Sequence, residues 1–128
     1  HVIAEEVELA MLSAMRQTGC GVAEFTVAPE VNPESGLPYH EWFVEFSRAP
    51  QNINEFAQHI DLVLQQKNSY YKDLRAGNVL RQLIVRPVKP NAFIDYMKSK
   101  GKLGGQNKVP RLTNNREIAE ALSLAVLT

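Results

Sequence analysis

The chain has 128 residues, of which 45% are apolar and 22% charged, with a formal net charge of zero, a balance that suits one soluble globular domain and leaves no room for two. No apolar run approaches the roughly 18 residues of a membrane-spanning helix, and no basic stretch followed by an apolar one marks a secretory signal. The lone cysteine, Cys20, excludes an internal disulfide and fits a reducing compartment, so a cytoplasmic protein is expected.

The chain opens at His1 and enters a helical pattern almost at once, which reads as a piece of something longer. Ile3, Val7, Ala10, Met11 and Ala14 recur at helical spacing, with Glu5, Glu6, Ser13 and Arg16 on the other side. This predicts an amphipathic helix ending near Gly19, its early glutamates matched to the positive end of the helix dipole. Residues 22–27 and 39–46 are rich in aromatic and β-branched side chains and predict two strands. Ala23, Phe25 and Val27 share a face of the first, and His40, Trp42, Val44 and Phe46 a face of the second. Residues 29–38, with Pro33 and Ser35-Gly36, read as a long hairpin loop.

Asn52 with Glu55 three residues on resembles a helix N-cap and its returning carboxylate. Behind it, Ile53, Phe56, Ala57, Ile60, Val63 and Leu64 form an apolar stripe down to about Lys67. Tyr70 to Leu74 is compatible with helix as far as Gly77. Residues 79–88 predict a third strand closed by Pro87 and Pro90, and residues 92–100 a short helix with Phe93, Tyr96 and Met97 inward. Asn114 is expected to cap a last helix, with Glu117 three residues on and Ile118, Ala121, Leu122 and Ala125 as its core face. The order α-β-β-α-β-α-loop-α implies an α+β domain, a small mixed sheet of three or four strands flanked by helices, filling residues 1–128.

Much chemistry is missing. There is no G-x-x-x-x-G-K-[ST] loop and no G-x-G-x-x-G after a strand, so no standard nucleotide cradle. His1, His40 and His59 stand apart from any cysteine or carboxylate at metal-ligand spacing, so no metal site is expected. A core role suits His40, which lies on an apolar strand face. No G-x-S-x-G elbow occurs, and Cys20 has no nearby basic group, which disfavours a nucleophilic hydrolase. Glu41 and Glu45 share a strand face and read as solvated. The Tyr70-Tyr71 pair could stack on a ligand, but packing under the adjacent helix is the expected role.

What remains is the run of residues 98–112, with five cations and no carboxylate. Gly101, Gly104 and Gly105 loosen it, and Pro110 stiffens its end. A flexible hinge before a rigid cationic tip suits a segment that swings and presents a lysine to an anion; the alternative is a solvated basic loop. Lys108 carries a compact point charge on a long stem. Val109-Pro110 would fix its direction, and Arg111 could add a bidentate contact. Residues 1–80 hold five Lys/Arg against eleven Asp/Glu, whereas residues 81–116 hold nine against Asp95 alone. Such asymmetry expects a nucleotide phosphate, a nucleic-acid backbone or an acidic protein face, unless the basic part simply covers the acidic part of the same domain.

Asn78-Val-Leu-Arg81, Val85-Arg-Pro-Val88 and above all Gly101-Lys-Leu-Gly-Gly-Gln-Asn-Lys-Val-Pro-Arg-Leu112 resemble the carboxy-terminal part of the Gretchen Hagen (auxin-responsive) acyl acid–amido synthetases. Trp42-Phe-Val-Glu-Phe46 and Gln65-Gln-Lys-Asn-Ser-Tyr-Tyr71 look like the bacterial members, and the resemblance spans nearly the whole chain. It implies an adenylate-forming enzyme that activates a carboxylic acid with ATP and Mg²⁺ and passes the acyl group to an amino acid. It also implies that this chain is a mobile cap, partnered by a large amino-terminal adenylation domain. By the same resemblance Lys108 reaches the phosphate and carboxylate during adenylation, with Gly104, Gly105, Gln106 and Arg111 completing the loop; Arg111 would either assist the phosphate or, as the favoured reading, anchor the loop to the acidic part of the cap. Asn107 stands where plant members usually carry an aromatic residue. The family's phosphate loop and acid pocket have no counterpart here, so the chain alone is expected to be inactive and to bind no cofactor by itself. The other readings are a non-catalytic basic interaction domain and a small nucleic-acid module. The second is disfavoured, because no aromatics interleave with the loop's cations.

Overall fold

The structure, a computed structural model, describes residues 1–102, 104 and 108–127. Helix α1 (Ala4–Thr18) buries Val7, Ala10, Met11 and Ala14, the stripe its spacing requires. It stops at Gly19, whose φ of 72° lets its amide return to the Met15 carbonyl at 2.8 Å. Strands β1 (Gly21–Glu30) and β2 (Tyr39–Arg48) form an antiparallel pair with Phe25 opposite Val44 and Val27 opposite Trp42. Helix α2 (Ile53–Lys67) starts at Asn52, whose side chain accepts the Glu55 amide at 2.9 Å.

The helical pattern does not run on from there. Asn68 is extended, and its side-chain oxygen accepts the Tyr71 amide at 2.8 Å, so a separate helix α3 (Ser69–Ala76) begins. Strand β3 (Ile84–Pro87) then lies parallel to β2, giving the order β1-β2-β3. It is shorter than the expected span of residues 79–88. The amides of Arg81 and Leu83 are taken by the Pro38 carbonyl and the Asp61 side chain, so they cannot join a ladder. Helix α4 (Ala92–Ser99) follows, and helix α5 (Glu117–Ser123) closes the order. The expected Asn114 cap is not formed: Arg116 stands at the N-cap without a side-chain capping bond, and Asn115, the residue before it, accepts the Glu117 amide at 3.0 Å. The inward face of α5 centres on Ala119 and Leu122, with Ile118 and Ala125 partly buried beside them.

The three-stranded mixed sheet is covered on both faces. On one, Phe25, Val27, Trp42 and Val44 meet α1 and α2, with the Phe25 and Trp42 rings stacked at 5.9 Å. On the other, Ala28 and Phe43 meet Phe93 of α4, Val109 and Ala119 and Leu122 of α5. That second layer overturns the reading of Glu41 as solvated. It is 5% exposed and pairs with Arg86 of β3 and with Arg116, each at 2.8 Å.

Asp61 joins the helical layer to the sheet. It is 2% exposed on α2 and accepts hydrogen bonds from the Tyr71 hydroxyl, from Gln65 and Arg75, these two at 2.8 Å, and from the Leu83 amide at 3.2 Å. Tyr71, expected to pack, is buried with its ring 5.3 Å from that of His40, while Tyr70 is exposed. Burial and the adjacent Asp61 carboxylate push the Tyr71 hydroxyl well above the usual phenol range. Burial holds His40 below its ordinary value of 6.5, against the opposing pull of Asp61.

Asp61→Ala strands a guanidinium, a phenol and an amide, and should cost about 3–5 kcal/mol of stability; urea unfolding measures it, and a loss under about 1 kcal/mol would contradict the assignment. His40 adds a pH dependence. Below about 6.5 the unfolded chain takes up a proton that the folded chain resists, so this part of the stability is present above that pH and lost as pH falls. The urea midpoint should drop between pH 7 and about 5.5, and drop less in His40→Leu. An identical drop in both proteins counts against His40 as its source.

Candidate functional site

The basic run leaves α4 through a tight turn. Gly101 has φ of 66°, a conformation that glycine takes without strain, and the Lys102 amide returns to the Met97 carbonyl at 2.9 Å. Gly104, with φ of 84°, also uses the left-handed region. Gly105 and Gln106, named from the sequence, lie outside the described residues. The chain then returns with Lys108 exposed, Val109 buried at 7%, and Pro110 exposed.

From Pro110 onward the run is fastened to the outer edge of β1. The buried Thr26 hydroxyl donates to the Pro110 carbonyl at 2.6 Å. The Val27 amide donates to the Arg111 carbonyl, and the Thr113 amide to the Val27 carbonyl, each at 2.9 Å. Leu112 thereby forms a parallel bridge with Val27. Arg111 adds side-chain contacts. Its Nε meets Glu8 of α1 at 2.9 Å, its Nη1 meets Glu24 of β1 and the Phe25 carbonyl, and its guanidinium lies 4.4 Å over the Phe25 ring.

The cations of residues 81–116 therefore divide into those spent within the domain and those left without an ion pair among the described residues, Arg81 among the latter and lying 5.0 Å over the Tyr39 ring. Arg86, Arg111 and Arg116 turn inward to Glu41, Glu8, Glu24 and Glu30, so these cations cover acidic residues of the same domain. Lys100 reaches Glu117 at 3.6 Å. Lys89, Lys98, Lys102 and Lys108 make no ion pair among the described residues. The planar guanidinium suits a fixed bidentate pair, and the strongly hydrated ammonium on a flexible stem suits solvent or a visiting anion.

Lys102, Gly104 and Lys108 line a hollow of about 310 Å³ together with Phe93, Ile94 and Met97 of α4 and Val109. Glu24 and Glu45 also line it, the former held by Arg111 and the latter accepting the Asn91 amide at 3.2 Å. The structure thus brings Lys108 and Gly104 to one place and commits Arg111 to the fold beside it. Sequence reasoning missed Glu24, Thr26 and Glu8 as the partners that hold this segment. The only trace they leave is a carboxylate and a hydroxyl within an apolar strand run. Among the described residues no group of His, Cys, Asp and Glu could hold a metal, and no helix is long and apolar enough to cross a membrane.

A family model described as the GH3 family C-terminal domain matches residues 5–117. No curated protein matches the chain. Among solved structures, one described as GH3.15 acyl acid amido synthetase is 21% identical with a TM-score of 0.72, covering 97% of this chain and 24% of that one. Another, AtGH3.15 acyl acid amido synthetase in complex with 2,4-DB, is 19% identical with a TM-score of 0.75, covering 96% and 24%. At these identities the likeness speaks for the fold. The chain spans about a quarter of the length of either.

Thr26→Val keeps the shape of the side chain and removes one bond of the fastening, a loss of about 1 kcal/mol. Amide exchange at Thr113 should quicken in this variant while the Val44 amide, deep in the sheet, stays protected. Equal quickening at both would mean a global rather than a local effect.

Proposed function

The chain belongs to the GH3 family by its C-terminal domain, and on that premise we propose that it is the mobile cap of an acyl acid–amido synthetase, closing over a large amino-terminal adenylation domain. The reaction would join a small carboxylic acid to an amino acid at the expense of ATP. ATP supplies the activation of the carboxylate. Such a reaction belongs in the cytoplasm, where ATP is abundant.

Lys108 is the residue we assign to the chemistry. One observation carries the assignment: an exposed lysine without an ion pair among the described residues stands just before buried Val109 and fastened Pro110. Its Cα is therefore directed while its ammonium stays available. A positive point charge brought to the junction of phosphate and carboxylate would offset negative charge that builds up as the acid attacks. The glycines at 101 and 104, both at positive φ, supply a backbone that can turn as the cap changes position. Lys102 lines the same hollow, as do Glu24 and Glu45.

The domain alone should show no acid-dependent ATP–pyrophosphate exchange, and exchange should appear when the large domain is supplied. Lys108→Ala should then lower the rate by about 10²–10³ with ATP binding little changed. Lys108→Arg should restore little of it, because the guanidinium differs in shape and hydration. Full exchange in Lys108→Ala would remove the lysine from the chemistry and leave the cap a docking role.

A further inference from the structure

Arg111 lies three residues after Lys108, yet three of its donors are already engaged. A guanidinium has five N–H groups. The Nε hydrogen goes to Glu8, and Nη1 serves both Glu24 and the Phe25 carbonyl, while one face rests on the Phe25 ring. Forked recognition of a phosphate would require breaking at least one of these contacts, because either fork that includes Nη2 also uses Nε or Nη1. Their geometry serves something else. They tie one residue to α1 and to β1 at once, where the backbone of Pro110, Arg111 and Thr113 is already bonded to β1.

We propose that Arg111 is a positioning residue for Lys108, pinning the downstream root of the basic run so that the lysine emerges at a set height above the hollow. The proposal rests on the reading of Lys108 given above. Two residues, buried Val109 and fastened Pro110, separate the pin from the lysine, so the Lys108 backbone has little freedom on that side. On the other side the chain carries the positive-φ glycines 101 and 104. Hinge on one side and pin on the other is a directed arrangement. Displacing a catalytic group by about 1 Å can cost on the order of 10²-fold in rate. Loss of the pin should therefore act on turnover rather than on substrate binding. Glu24 takes part twice, as a lining residue of the hollow and as the partner of Arg111.

The test is a double-mutant cycle in ATP–pyrophosphate exchange with the large domain present. Arg111→Gln should lower kcat about 10-fold or more with KM for ATP nearly unchanged. Made on a Lys108→Ala background, the same change should lower it no further, because a residue that acts only through Lys108 has nothing left to position. Arg111→Lys should not rescue, since it lacks the fork and the flat face over Phe25. Should Arg111→Gln fail to fold, Glu24→Gln and Thr26→Val each remove one contact of the pin and should show the same non-additivity with Lys108→Ala. Additive losses, or a raised KM with unchanged kcat, would overturn positioning and return Arg111 to direct contact or general stability. An inert Lys108→Ala removes the assignment of Lys108 itself, and the positioning role with it. A crippling Lys108→Ala beside a harmless Arg111→Gln removes the positioning role alone.

Discussion

β1 is an edge strand, and the covering of its free edge is the constraint on which the arrangement of this domain turns. An uncovered edge exposes a row of amides and carbonyls that invites pairing with another chain. Here residues 110–113 satisfy part of that edge, through Val27 in both directions and through the Thr26 hydroxyl. The same bonds decide where the basic run comes back to the body of the protein. Val109 is thereby drawn into the layer formed with Phe43, Phe93 and Leu122, and Lys108 is left outside it.

Covering both faces of so small a sheet has a second consequence. β2 is central, so its residues alternate between two cores rather than between a core and water: Trp42 and Val44 toward α1 and α2, Phe43 toward α4 and α5. Any carboxylate on it must then be compensated. Glu41 meets this with two arginines, from β3 and from the residue before α5. Asp61 does the equivalent on the helical side, with Arg75 and three further donors. These buried acids explain why Arg75, Arg86 and Arg116 turn inward.

Legibility differed from element to element for identifiable reasons. The stripes of α1 and α2 are purely local patterns, and local patterns survive into the structure. The Asn52 cap is local too, and its bond to the Glu55 amide forms as read. The third strand is shorter than its pattern suggests because Val79, Leu80 and Leu83 look like strand, whereas the Leu74 carbonyl takes the amides of Val79 and Leu80 and the Asp61 carboxylate takes that of Leu83. Glu41 and Glu45 looked solvated because alternation marks a face without saying what covers it. For the candidate site, the sequence pointed to Lys108 for the chemistry and to Arg111 as an anchor on the acidic part of the domain, without saying which acids hold it. Their environments differ because Arg111 is ion-paired with Glu8 and Glu24, whereas Lys108 makes no ion pair among the described residues.

By itself, then, the sequence determined the family motif, the helices with strong periodicity, the two long strands and the concentration of cations near residue 108. These depend on residues within a turn or a strand of one another. The tertiary structure alone decided which cations are consumed by the fold. Ion pairing between Arg111 and Glu8 spans 103 positions and that between Arg86 and Glu41 spans 45. Charge counts carry no distance, so a cation that stabilises the domain and a cation that awaits a partner are the same letter until the chain is folded.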